Sequence, residues 1–164
     1  ILKFLSHKKD TKYQNDIEKN SNKIFEFYKD FFYKYQNTDI ENEIQKSIST
    51  INDKAGFCNI ISFNDISFTS FCEHHFLKFS GFVNISYKPS NRIIGFDKMC
   101  LIVDFFASNL QLQETFGQKI LNTIVKTLKP LECNIVIKAK HDCMIIRGQK
   151  KTDSEIITNH FYHK

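Results

Sequence analysis

The sequence predicts an α+β domain with a largely antiparallel sheet and helices on one face. Three observations support this fold class. The chain has 164 residues, of which 41% are hydrophobic, which is enough for one compact core. Its periodic segments run as helices, strands, two helices and strands, without the regular alternation of a parallel sheet. Only 5 Gly and 2 Pro exclude a linker-rich organisation. We expect an N-terminal helical segment over residues 1–55 and one compact unit over residues 56–164.

Two helices are predicted in the N-terminal segment. Over residues 16–35, apolar side chains recur at intervals of three, four or seven, which is the period of an amphipathic helix. Asp39 can cap a shorter helix, in which Ile40, Ile44 and Ile48 follow one another at intervals of four.

Strands are predicted from residue 56 onward. Residues 56–63 form a mixed apolar run, and Ile66 and Phe68 then alternate with polar residues. The same alternation covers residues 83–87. Lys-Pro-Ser-Asn at residues 88–91 is typical of a turn, so we expect residues 92–96 to complete a β-hairpin.

Two further helices and a final set of strands follow. Asp97 can cap a helix over residues 98–107, and a second helix has apolar residues at every fourth position from 112 to 128. After Pro130, the alternation over residues 133–137 predicts a strand. Residues 144–147 and 155–161 also have an extended pattern.

Composition and charge limit the function classes. The net charge is +5, yet the 23 basic residues include only two arginines, Arg92 and Arg147. Base readout and bidentate phosphate contacts favour arginine, so we expect no nucleic-acid partner. No apolar run approaches the roughly 18 residues of a membrane span, and residues 1–6 are too short for a signal-peptide core. Five cysteines without scaffold spacing indicate a reducing compartment, so the cytoplasm is expected.

A metal site is one interpretation of a cysteine and histidine cluster. Cys72 and His75 are three residues apart after a predicted strand, and His141 and Cys143 follow another. If the chain turns at residue 72, the first pair can converge on one ion, and either later residue can supply a third ligand. Two Cys and one His leave a zinc position open for water, which is catalytic geometry. The alternative is a buried thiol beside surface imidazoles.

The remaining cysteines and histidines have simpler interpretations. Three cysteines lie in apolar patterns and are expected to be core thiols: Cys58, Cys100 and Cys133. Three histidines lie in polar ends and are expected to have no function: His7, His160 and His163. Near a metal, His74 and His141 would have pKa values suited to proton transfer.

Glutamine and glutamate open the long second helix. Gln113 and Glu114 could recognise a purine, because a carboxylate can accept hydrogen bonds from a ring N–H and an exocyclic amine. A solvated helix start, with Glu114 interacting favourably with the helix dipole, explains the same residues. The pattern alone favours this second interpretation.

Taken together, these motifs resemble the GTP cyclohydrolase I family in order and spacing. Cys-Glu-His-His at residues 72–75 is followed by Gln-Leu-Gln-Glu at 111–114, His-Asp-Cys at 141–143 and Arg-Gly at 147–148. The resemblance covers about residues 56–160. It implies a tunnelling fold, a toroidal homodecamer with active sites at subunit interfaces, and zinc as cofactor. The implied activity is hydrolysis of GTP at guanine C8, release of formate and rearrangement to 7,8-dihydroneopterin triphosphate, for a pterin, folate or deazapurine pathway.

The resemblance assigns roles to nine residues. Its zinc ligands are Cys72, His75 and Cys143. Its proton-transfer histidines are His74 and His141. Its guanine-recognising pair is Gln113 and Glu114, and its triphosphate contacts are Lys98 and Arg147.

The departures from the family pattern concern phosphate binding. Leu101 stands where the family has an arginine, Asp97 replaces a serine, Thr115 replaces another arginine, and Lys23 replaces the arginine of a Thr-Pro-x-Arg segment. They leave a second hypothesis open, in which the chain is a non-catalytic homologue that serves as an assembly or regulatory subunit. The intact ligands and imidazoles favour an enzyme.

Overall fold

The computed structural model describes residues 11–51, 59–147 and 150–164. Contacts divide the chain into two units, Ile1–Gln36 and Asn37–Lys164. The boundary predicted between residues 55 and 56 falls in a stretch outside the described residues, as do Cys58 and His7, so these expectations stay predictions. No helix of the described residues is both long and apolar enough to cross a membrane.

The first unit contains one long helix, α1 (Thr11–Tyr33). It confirms the helix predicted over residues 16–35, with ends shifted by a few residues. Aromatic side chains pack along it: the rings of Phe27 and Tyr28 meet edge to face, and those of Tyr28 and Phe32 stack at 6.0 Å.

The second unit combines short helices, two long helices and two sheets. Its elements in chain order are α2 (Ile40–Gln45), β1 (Ser49–Thr50), β2 (Ile61–Cys72), β3 (Lys78–Lys88), β4 (Arg92–Ile93), α3 (Phe96–Ala107), β5 (Leu110–Gln111), α4 (Gln113–Leu128), β6 (Glu132–His141), α5 (Asp142–Ile145) and β7 (Ile156–His163). The Asp39 side chain accepts a hydrogen bond from the Asn42 N–H and so caps α2, as predicted.

The main sheet has the order β5-β2-β3-β6-β7. All its pairs are antiparallel except the two-residue pair of β2 with β5. This confirms the predicted α+β class and the largely antiparallel sheet. Helix α3 packs against β2, and α4 packs against β6 and β7.

The core lies between the sheet and these two helices. Alternate side chains of the central strands, such as Val83 and Ile85 on β3 and Ile135 on β6, are fully buried. The predicted spacing of four along α4 brings its apolar face, including Phe116 and Ile120, into the same core. Each fully buried aliphatic side chain contributes about 1.5–3 kcal/mol, so burial stabilises the packing of α4 on the sheet.

The predicted hairpin over residues 88–96 is wrong. The chain does turn there, but β4 pairs with β1 in a separate two-stranded sheet. Both edges of β3 are already occupied, by β2 on one side and β6 on the other. The guanidinium of Arg92 instead donates to the Thr127 carbonyl at 2.7 Å, which ties β4 to the end of α4.

Two local predictions are also corrected. The N-cap of α3 is Gly95, and Asp97 lies inside the first turn, where its charge still interacts favourably with the helix dipole. The extended conformation predicted for residues 144–147 is replaced by the short helix α5, in which the Ile146 N–H donates to the Asp142 carbonyl at 2.9 Å. Strand β7 pairs with the edge of β6 that an extended segment here would need. Residues 142–145 therefore have no strand partner and form a helical turn.

His160 was expected to lie in a polar end of the chain, but its ring is packed against helix α4. Its Nε2 is buried without a hydrogen-bond partner among the described residues. The ring packs on Gly117 of α4 so closely that a Cβ at residue 117 would lie 2.2 Å from Nε2. Glycine at residue 117 therefore makes room for the imidazole between α4 and β7.

Candidate metal centre and surrounding cavity

A tight turn at the end of β2 brings Cys72 and His75 together. The Cys72 carbonyl accepts hydrogen bonds from the N–H groups of His75 and Phe76, at 3.3 and 2.9 Å. Phe76 adopts a left-handed backbone with φ of 55°, which returns the chain to β3. As a result, Cys72 Sγ lies 3.7 Å from His75 Nδ1. This is the turn that a shared ion requires of these two residues.

The third member of the cluster comes from the other side of β3. Strand β6 ends at His141, and Cys143 lies in the first turn of α5. One potential ligand atom from each of Cys72, His75 and Cys143 lies within 4.8 Å of the others. The three residues could therefore hold a metal ion, and Cys143 rather than His141 is the residue that completes the group.

The chemistry of the cluster fits a divalent cation. Burial raises the pKa of the Cys143 thiol, and the nearby Cys72 raises that pKa further. When one of two neighbouring thiols is ionised, its negative charge disfavours ionisation of the second unless a cation lies between the two sulfurs. Two thiolates and one imidazole are the donor types that suit zinc, and they leave one of four tetrahedral positions open. The cluster thus has the composition of a catalytic rather than a closed structural site.

A cavity of about 320 Å³ opens beside the cluster. Seven of the nine residues with predicted roles line it: Cys72, His74, His75, Gln113, Glu114, His141 and Cys143. Leu112, Met144 and Ile156 contribute apolar walls. A volume of this size is within the range of small-molecule sites.

His141 is held rigidly at the cavity wall. Only 7% of the residue is exposed, and its ring stacks on Phe79 with centroids 4.8 Å apart and planes 7° from parallel. Its Nε2 lies 2.8 Å from Gln113 Oε1. Burial lowers the pKa of His141, and the charges of Glu114 and Asp142 act in the opposite direction. The imidazole is therefore biased toward its neutral form, which can accept a proton.

Glu114 and Gln113 differ in their surroundings, although they are adjacent. Glu114 is exposed in the first turn of α4 and is available to a ligand in the cavity. Gln113 is 2% exposed, and its amide is hydrogen-bonded to strands β6 and β7. The two residues thus do not form an equivalent pair.

Neither of the two predicted phosphate contacts lines the cavity. Arg147 is exposed just after α5, close enough for its charge to oppose in part the burial that raises the pKa of Cys143. Lys98 follows Phe96 by two residues, and the Phe96 ring stacks on Phe63 near the start of β2. Nine residues of extended strand, about 30 Å, separate Phe63 from Cys72. Lys98 is not among the residues that line the cavity.

Sequence reasoning did not identify two contributors to the site. Phe79 stacks on His141, and Thr158 of β7 accepts a hydrogen bond from the Gln113 amide. Thr158 alternates with exposed residues on β7, whereas Phe79 lies between exposed Lys78 and half-buried Ser80 on β3. Their partners are identified only by the tertiary structure, which pairs Phe79 with His141 in neighbouring strands and brings Thr158 to the Gln113 amide.

A likeness to a solved structure supports the predicted fold class. The chain superimposes on a crystal structure of the archaeosine synthase QueF-Like in the apo form with a TM-score of 0.50 and 13% identity, over 62% of this chain and 91% of that chain. This likeness concerns the fold alone and agrees with a tunnelling fold.

The family follows from the sequence comparisons. The family model for GTP cyclohydrolase I matches residues 1–164. A protein of Rickettsia bellii (strain OSU 85-389) named GTP cyclohydrolase 1 is 38% identical over 143 residues, 87% of this chain and 72% of that protein. Proteins of the same name from Rickettsia akari and Leptospira biflexa are 43% and 47% identical, but the match spans only 57% and 52% of their lengths. The chain belongs to the GTP cyclohydrolase I family of enzymes, as its motifs predicted.

Proposed function

We propose that this chain is a zinc-dependent GTP cyclohydrolase that hydrolyses guanine at C8, releases formate and forms 7,8-dihydroneopterin triphosphate. One observation carries the proposal: the Cys72, His75 and Cys143 cluster shares a cavity with two imidazoles and an exposed carboxylate. Membership of the family supports the same reaction. The donor set supports zinc, which would lower the pKa of a bound water toward 7 and make hydroxide available at neutral pH.

The other cavity residues have matching tasks. Glu114 would bind the guanine, accepting hydrogen bonds from its N1–H and 2-amino groups. Opening the imidazole ring of the base breaks bonds between C8 and the ring nitrogens, and each nitrogen must gain a proton. His74 and His141 line the cavity and could deliver these protons. The buried, stacked ring of His141 suits this task because it needs no reorientation.

The positions of the predicted triphosphate contacts support a homo-oligomer. We propose that it is the toroidal homodecamer of the family. Arg147 lies near the cluster, but Lys98 lies toward the other end of β2. A lysine from a neighbouring chain would therefore complete the phosphate site. Strand β7 forms one edge of the main sheet and offers backbone groups for pairing with a second copy.

A direct test is to incubate the zinc-loaded protein with GTP. Formate and a product that becomes a fluorescent pterin after oxidation should appear in equal amounts. Cys143→Ser is the matched inactive variant, and Cys100→Ser is the control for a thiol in α3. Release of phosphate without formate would overturn the proposed reaction.

The non-catalytic hypothesis remains the second candidate. Leu101 takes the place of an arginine, and the Asp97 carboxylate lies 4.0 Å from the Lys98 ammonium. The pair reduces the charge that Lys98 offers to phosphate. A zinc-loaded, assembled protein without turnover at any GTP concentration would favour this second candidate.

A further inference from the structure

The Gln113 amide is a buried connection between α4, β6 and β7. Its nitrogen donates to the Ile137 carbonyl at 3.2 Å, to the Ile156 carbonyl at 3.1 Å and to Thr158 Oγ1 at 3.2 Å. Backbone carbonyls can only accept, so two of these contacts determine which end of the amide is nitrogen. Three acceptors share its two hydrogens, and none is left for a ligand.

The orientation of the amide determines the state of its neighbour. Gln113 Oε1 faces His141 Nε2 at 2.8 Å. An amide oxygen can only accept, so Nε2 must carry the hydrogen. In neutral His141 the lone pair is then on Nδ1. The stacked Phe79 ring restricts rotation of the imidazole, so the two contacts together hold one tautomer in one orientation.

We propose that Gln113 is a positioning residue, which keeps the proton of neutral His141 on Nε2 and leaves Nδ1 as the nitrogen that exchanges protons with the substrate. This rests on the proposed function of His141. It differs from the guanine contact that the family resemblance implies for Gln113. Glu114, which is exposed at the cavity, would then recognise the base without an adjacent side-chain amide.

The tautomer can be measured directly in the zinc-loaded, full-length chain. In protein labelled with ¹⁵N-histidine, nitrogen chemical shifts distinguish a proton on Nε2 from one on Nδ1, and the His141 signal is the one absent from a His141→Asn sample. We expect Nε2–H in the unmodified protein. Nδ1–H there would overturn the proposal, even if no variant folds.

Gln113→Met supplies the second measurement, because methionine fills a similar volume without hydrogen bonds. The His141 signal should lose the pure Nε2–H pattern. Turnover should fall about tenfold or more, while KM for GTP changes less than about threefold. The matched control is Gln111→Met: Gln111 is also buried, but its amide donates to Ser70 and Phe106 rather than facing His141, so the His141 signal should stay unchanged.

The opposite kinetic result is equally informative. A raised KM with unchanged turnover and an unchanged tautomer would mean that Gln113 contacts the base, and the proposal would be wrong. If the unmodified protein releases no formate from GTP, the proposed function fails. The tautomer spectra still decide separately whether Gln113 positions His141.

Discussion

Cys72 Sγ lies 3.7 Å from His75 Nδ1, although the two residues would face opposite sides of a straight strand. The turn that follows β2 removes this obstacle, and Cys143 reaches the same place from the end of β6. A metal ion held by this cluster would take its ligands from two chain segments, so a single short motif could not define the site.

The first prediction concerns metal content. The purified protein should contain about one zinc per chain, because the cluster provides three ligands of the types that zinc prefers. Cys143→Ser should lose most of this zinc while it stays folded. Cys100→Ser, which alters a half-buried thiol in α3, should keep it. Elemental analysis measures both, and full retention in Cys143→Ser would contradict the assigned ligand set.

The second prediction concerns recognition of the base. Glu114→Ala removes a carboxylate that would accept two hydrogen bonds from guanine, at a cost of about 2–4 kcal/mol, or about 30- to 1000-fold in affinity. Zinc content should not change. Asp104→Ala removes another exposed carboxylate and should leave affinity within about twofold. Calorimetry with GTP on both variants measures this affinity. If Glu114→Ala binds GTP normally, Glu114 does not contact the base and serves only as a charge at the start of the helix.

The third prediction concerns the contribution of neighbouring chains. If Lys98 serves the site of another chain, Lys98→Ala and Cys143→Ser impair different halves of one site. Mixed assemblies of the two variants, formed by co-expression, should then recover part of the activity that neither has alone. Light scattering should give a mass near 190 kDa for ten 19.3-kDa chains. Mixed assemblies as inactive as the single variants would place both residues in one chain's site.

The fourth prediction concerns the missing arginine. A charge-assisted contact to phosphate contributes roughly 1.5–3 kcal/mol, so Leu101→Arg should lower KM for GTP by about 10- to 150-fold with little change in turnover. Leu101 packs partly against the core, so Leu101→Met is the control for altered packing. Steady-state kinetics at low and high salt measure the effect, and a KM that does not fall would show that residue 101 does not face the phosphates.

The fifth prediction concerns pH and His160. Burial lowers the pKa of His160, while the charge of Glu114 opposes this shift. As the pH falls through about 6.5, the unfolded chain takes up this proton before the folded chain does, so stability must decrease. His160→Gln should therefore lose less stability than the unmodified protein between pH 7.5 and 5.5. Denaturant unfolding at one protein concentration measures this, with the exposed His163→Gln as control. An equal loss in all three proteins would contradict the role of His160.

Much of the fold followed from local patterns in the sequence. The period of four along α4 and the alternation on β3 and β6 predicted elements that the structure contains, because burial on one face imposes its own repeat on a helix or a strand. Residues of metal-ligating type at 72 and 75, with His141 or Cys143 as the third, were also evident before any geometry was known, and the family resemblance selected Cys143.

Other features depended on what lies beside each segment. β4 could not pair with β3 because β2 and β6 already pair with both edges of β3. Residues 142–145 form a helical turn because β7 already pairs with the free edge of β6. Gln113 looked like a solvent-facing helix start, yet tertiary contacts bury its amide against His141. The sequence by itself determined the periodicity of the elements and the chemistry of the side chains. Only the tertiary structure decided edge occupancy and side-chain partners, because both are set by contacts between residues far apart in the chain.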